Sequence, residues 1–140
     1  MIIADSGYWF AIMNPRDEYH QQALLAAGKY GKERMITTLP VLTEVCQLLL
    51  GRIGSKAQAA FIAGIADGGA VIHHLSDEDL GKAAELMTRY ADLPMDFADA
   101  SLVLLAEELG HGRILSTDER DFHTYRWKNR EPFHNLLTSN

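Results

Sequence analysis

The stretch from Phe97 to Leu109 constrains the fold of this chain more than any other. It reads Phe-Ala-Asp-Ala-Ser-Leu-Val-Leu-Leu-Ala-Glu-Glu-Leu, with Pro94 and a polar turn before it and Gly110 after it, which predicts one helix that is apolar on nearly every side. Such a helix belongs in a core, covered by other layers. At about 100° per residue, Asp99 lies about 180° from Glu108, the expected solvent position, and shares a face with Leu102, Val103 and Ala106. A carboxylate on that face must be hydrogen-bonded, paired or bound to a cation, because burying the bare charge costs several kcal/mol. Two readings stay open for Asp99: a carboxylate held for chemistry, or a first-turn acid that complements the helix dipole. Asp96 sits at a natural N-cap.

Around this helix, short apolar runs alternate with helical stretches. Residues 1–4 read as a buried strand ending at Asp5, and residues 8–13 as a short helix stopped by Asn14-Pro15. A helical pattern over 18–30 leads to a second strand at 35–38, then to a helix from Pro40 to about Leu50. Ser55 is expected to cap a further helix that ends near Asp67-Gly68-Gly69, and residues 70–75 read as a third strand. Ser76 and Asp79 have capping-box spacing before a helix to about Tyr90. Beyond the central helix come a fourth strand at 113–116, a turn at 117–121 and a short edge strand within 123–127. Connections are short, with no linker, low-complexity tract or internal repeat. The pattern predicts a single domain over residues 1–140, a three-layer α/β/α arrangement with a mainly parallel sheet of four to five strands. Ligands of such sheets bind beyond the carboxyl ends of the strands, and Asp5 and Asp118 both fall at that rim.

Composition narrows the class. With 47% apolar and 23% charged residues, the chain is an ordinary globular one, and no apolar run approaches the roughly 18 residues of a membrane span. A cytoplasmic protein without a membrane association is expected. Cys46 is the only cysteine, which excludes an internal disulfide or a zinc site of paired cysteines; it reads as a small buried helix residue. The 13 basic and 19 acidic residues give a net charge of −6, which argues against a basic nucleic-acid groove. That argument weakens if acids hold divalent cations, which invert the local field. The basic residues Arg113, Arg120, Arg126, Lys128 and Arg130 crowd the last part of the chain and read first as solvated surface.

Four acids stand out by position: Asp5, Glu44, Asp99 and Asp118. Glu44 lies about one turn into its helix, on the stripe of Val41 and Leu48. Singly, each has an ordinary reading as a turn former, a surface residue or a cap. Jointly, a strand end, a loop and the early turns of two helices can converge on one crevice. Carboxylates that close take up protons unless a cation neutralises them. Such hard oxygen ligands select Mg²⁺ or Mn²⁺, and the implied chemistry is phosphodiester hydrolysis.

At these residues the chain resembles the PIN-domain family, and in size and layout the VapC-type ribonuclease toxins. The matching motifs are Ile2-Ile3-Ala4-Asp5-Ser6, Val41-Leu42-Thr43-Glu44-Val45, Asp99-Ala100-Ser101-Leu102-Val103, and Ile114-Leu115-Ser116-Thr117-Asp118 followed by Asp121-Phe122. The resemblance covers nearly the whole chain. It implies that Asp5, Glu44 and Asp99 are the core metal-binding acids and Asp118 a fourth, with Ser6 and Ser116 as supporting hydroxyls. It also implies a Mg²⁺- or Mn²⁺-dependent endoribonuclease acting on single-stranded or looped RNA, a homodimer, and a cognate antitoxin protein as inhibitor. Asp121 either shares or replaces the role of Asp118, and Asp96 is a further acid beside the site. A housekeeping RNA-processing nuclease of the same fold and a non-catalytic α/β binding module are the alternatives.

Other signals carry less. The six histidines show no metal-ligand spacing, and Ser6 and Ser101 have no partner histidine in a recognisable motif. Asp5-Ser6-Gly7 lacks the second Asp that an aspartyl phosphotransferase would place two residues on. Tyr8, Trp9 and Phe10 are expected in the core and at a dimer contact.

Overall fold

A computed structural model describes residues 1–138. The strands are short because each apolar run ends in a polar or helix-starting residue: β1 is Ile2–Ala4, β2 Met35–Thr38, β3 Val71–His73 and β4 Arg113–Leu115. A last short strand, β7 (His134–Asn135), completes a five-stranded sheet of order β3-β2-β1-β4-β7, every neighbour parallel. Ile2 and Ile3 are wholly buried at its centre, as a parallel sheet covered on both faces requires. The expected three-layer architecture is therefore what the chain adopts.

The helices between the strands are α1 (Ser6–Met13), α2 (His20–Lys29), α3 (Leu39–Arg52), α4 (Ser55–Gly64), α5 (Asp77–Arg89), α6 (Phe97–Leu109) and α7 (Glu119–Thr124). Helix α6 spans the residues expected of it. Asp96 caps it, Gly110 ends it in the left-handed region at φ 76°, and Leu102, Val103, Leu105 and Ala106 are completely buried. It packs against β1, β2, α3 and α5. Fully burying one such leucine contributes about 1.5–3 kcal/mol, so this helix anchors the core.

The chain runs outward from β1 through β2 to β3, then returns to the other side of β1 as β4. The strand order thus reverses between β1 and β4, where an open parallel sheet leaves a crevice at its carboxyl rim. Register places Ala4 beside Leu115, so Asp5 and Ser116 leave adjacent strands side by side.

Several local expectations are corrected. Ser55 does not cap α4; it is the first helical residue, and Gly54 at φ 141° holds the cap position with no side-chain bond. Residues 119–121 are not a turn but open α7, which Asp118 caps through the Asp121 N–H. The strand within 123–127 is not an edge of the main sheet: β5 (Arg126–Trp127) pairs antiparallel with β6 (Glu131–Pro132) in a separate ribbon. The outer strand beside β4 is β7, too short to carry a periodic signal. Asp99 is half-buried rather than enclosed, because it lies in the first turn of α6 beside exposed Asp96 and Phe97. Cys46 is likewise half-buried. Tyr8, Trp9 and Phe10 are buried in the core.

Candidate active site

Asp5 follows β1 and caps α1. Its Oδ1 accepts the Ser6 N–H at 2.7 Å, and its Oδ2 accepts the Ser116 hydroxyl at 2.8 Å. The first is the local N-cap bond, and the second follows from β1 and β4 ending together. The Ser116 Oγ also accepts the Asp118 N–H at 2.9 Å, so one buried hydroxyl joins the acid after β1 to the loop after β4. The Ser6 hydroxyl donates to Glu44 Oε1, which ties the start of α1 to the second turn of α3.

Asp99 enters from α6. Asp96 and Asp99 form a capping box: the Asp99 N–H donates to Asp96 Oδ1 at 2.8 Å, and the Asp96 N–H donates to Asp99 Oδ2 at 3.4 Å. The first turn of α6 is fixed to the sheet by hydroxyls. Ser101 Oγ donates to the Ala98 carbonyl at 2.6 Å, leaving its oxygen to accept the Thr38 hydroxyl at 2.6 Å. Asp118 Oδ1 accepts the Asp121 N–H at 3.1 Å, and Arg120 lies 3.3 Å from the Asp121 carboxylate. Asp121 therefore has a cationic partner, and among the described residues Asp118 forms no ion pair.

The electrostatics show how closely these groups crowd. Burial pushes Glu44 up to about 7, with the charges of Asp96 and Asp5 adding to it and the Ser6 hydrogen bond opposing it. Burial, then repulsion from Asp5 and Asp96, pushes Asp99 up to about 8. Asp118 rises to about 6, chiefly through burial and then through Asp121. Burial also raises Asp5, against the hydrogen bonds from Ser116 and Ser6. Asp5, Glu44, Asp99 and Asp118, with Asp96 beside them, thus share one acidic rim. Among the described residues the ion pairs are Arg113–Glu33, Arg120–Asp121 and Arg130–Glu131, and none neutralises these four acids.

Among the described residues no three Asp, Glu, His or Cys side chains already surround one point as a cation cage would. Glu44 leans on Ser6 and Asp99 on Tyr125 instead. The donor set is nevertheless all oxygen, uncompensated and partly dry, which fits a hard divalent cation that keeps several waters. A cleft of about 590 Å³ opens beside it, lined by Glu44, Asp96, His73, His74, Phe97 and Leu39 among others.

Two residues of this neighbourhood carry no signal in the sequence. Tyr125, completely buried, donates its hydroxyl to Asp99 Oδ2 at 3.1 Å; burial and the Asp99 charge hold its phenol above the ordinary tyrosine range. Asn135 grips Ser116 on both sides: its Oδ1 accepts the Ser116 N–H at 3.2 Å and its Nδ2 donates to the Ser116 carbonyl at 2.9 Å. Neither belongs to a spacing pattern, since their partners are distant in the chain.

No family model matches the chain. In sequence it is similar to ribonuclease VapC26 of Mycobacterium tuberculosis (strain ATCC 25618 / H37Rv), with 28% identity over 94 residues, 67% of this chain and 70% of that protein. In structure it is similar to VapC20 of Mycobacterium tuberculosis, described as a sarcin-ricin loop cleaving toxin. The TM-score is 0.77 at 22% identity, over 86% of this chain and 92% of that one, a likeness that speaks for the fold. The two matches, one in sequence and one in architecture, are both to VapC proteins: the chain is similar to a VapC ribonuclease in sequence and shares the fold of a VapC toxin.

Proposed function

We propose that this protein is a Mg²⁺- or Mn²⁺-dependent endoribonuclease, the toxin of a toxin–antitoxin pair, with Asp5, Glu44, Asp99 and Asp118 as its metal-binding acids. One observation carries the reading: four carboxylates from four distant segments share the carboxyl rim of the sheet, with raised pKa values and, among the described residues, no ion pair to neutralise them. The ribonuclease name of the sequence relative supports the activity.

A bound divalent ion would polarise the scissile phosphate and lower the pKa of the attacking water. The protein's own part is positional. Asp5 is fixed at both carboxylate oxygens by Ser6 and Ser116, so the rotation of its carboxylate is set. Ser6 restrains Glu44, and Ser116 ties the Asp118 backbone to Asp5. Asp96 adds negative charge beside Glu44 and Asp99, which strengthens the demand for a cation at this rim. Asp121, paired with Arg120, supports Asp118 from behind as its hydrogen-bond donor.

The test is cleavage of total RNA by purified protein with Mn²⁺ or with EDTA, alongside Asp5→Asn. Cleavage in Mn²⁺ only, reduced by roughly 100-fold or more in the variant, is expected. Wild-type cleavage by Asp5→Asn would overturn the assignment. The cognate antitoxin and the homodimer belong to the same proposal, checked by co-purification with the product of an adjacent short reading frame and by sedimentation.

A further inference from the structure

The proposed metal-binding acids differ in how they are held, and Asp99 is the one whose side-chain hydrogen bond comes from outside every motif. The donor is Tyr125. Its backbone N–H closes α7 onto the Asp121 carbonyl at 2.8 Å, which places the residue at the C-cap of the helix. Its ring stands edge-on to Tyr90, 5.1 Å between centroids, and to Phe122 at 5.2 Å, while Phe122 is braced in turn by Phe133 at 5.1 Å. Aromatic contacts of this kind fix a ring from several sides. The hydroxyl is thus delivered to Asp99 by a locked ring.

The choice of oxygen matters. Tyr125 and the Asp96 N–H both donate to Oδ2 of Asp99, and among the described residues no donor reaches Oδ1. Two bonds on one oxygen set the rotation of the carboxylate and leave the other oxygen for a ligand in the crevice. Outer partners that orient a ligating carboxylate this way typically account for 10–100-fold in metal affinity or activity.

We infer that Tyr125 is a positioning residue that orients the Asp99 carboxylate for a divalent cation through the bond from its hydroxyl to Oδ2. The inference rests on the metal-dependent reading above. It also gives α7 and the segment after β6 a function, since Phe122 packs on Tyr125 and Phe133 braces Phe122.

Mn²⁺ binding to wild type, Tyr125→Phe and Phe122→Leu, followed by calorimetric titration without RNA, tests it. Tyr125→Phe keeps the ring and its contacts and removes only the hydroxyl. Its dissociation constant for Mn²⁺ is expected to rise about tenfold, with the unfolding midpoint in EDTA nearly unchanged, and high Mn²⁺ is expected to restore RNA cleavage. Phe122→Leu loosens the ring packing but keeps the hydroxyl, so its affinity should fall less. Equal affinity of wild type and Tyr125→Phe would overturn the role of Tyr125 while leaving the metal site standing. Equal weakening in Phe122→Leu and Tyr125→Phe would assign the effect to packing and likewise overturn it. A wild type that binds no Mn²⁺ would overturn both this inference and the metal-dependent reading.

Discussion

Ser116 has a single hydroxyl that serves two masters: it donates to Asp5 and accepts from the Asp118 N–H, inside a completely buried position. Ser116→Ala leaves a buried carboxylate short of a donor and a loop N–H short of an acceptor. Groups stranded in this way cost about 1–3 kcal/mol. Urea unfolding in EDTA should show that loss, and Mn²⁺ affinity should fall with it because Asp5 and Asp118 are no longer joined. An unchanged midpoint would mean that water takes the place of the hydroxyl. The same scale explains what could be read in advance. Asp5, Glu44, Asp99 and Asp118 announce themselves because a strand end, a helix turn or a cap marks each position locally. Tyr125 and Asn135 do not, because an aromatic phenol or an amide acquires its role only when segments 26 and 19 residues apart meet.

Among the elements, α6 was the most legible. Beyond its exposed first residue, Phe97, the helix leaves one exposed position at Glu108; its cap is an Asp with a reciprocal acid at the third position, and its end is a glycine in the left-handed region. Local propensity, capping and burial agree there, and the boundaries follow. The strand β7 is the opposite case. Two residues, one of them His134 and exposed, show no alternation, and their strand character comes wholly from pairing with Arg113 and Ile114 of β4. Helix α7 reads as a turn in the sequence because its six residues span fewer than two helical turns. The element best suited to a core test is therefore α6. Leu105→Ala, at a completely buried position on it, should lower unfolding stability by about 2–5 kcal/mol with the denaturant slope unchanged. Mn²⁺ affinity measured on the folded variant should stay near that of wild type, since Leu105 lies well down the helix from Asp99.

For the molecule as a whole, the acidic rim makes stability depend on pH in a direction that can be worked out. Asp99, Glu44 and Asp118 keep their protons up to about 8, 7 and 6 in the folded protein, against ordinary values of 3.8 to 4.5. Between those limits the folded state binds more protons than the unfolded chain, so the free energy of unfolding falls as pH rises. Glu33 works in the other direction, lowered by its hydrogen bond to Arg113, but its effect belongs to pH below 4.5 and to an exposed pair that contributes little. Thermal unfolding in EDTA should therefore show a midpoint that drops steadily from about pH 5 to about pH 8. A cation changes the balance, because it binds the deprotonated carboxylates and competes with the protons they hold. Mn²⁺ should accordingly raise the midpoint little at pH 5 and much more at pH 8, flattening the decline. A metal-free midpoint that stays level or rises over this range would show that the acids of the rim are not crowded in solution. The reading of β1, α3, α6 and the loop after β4 as one site would then lose its basis.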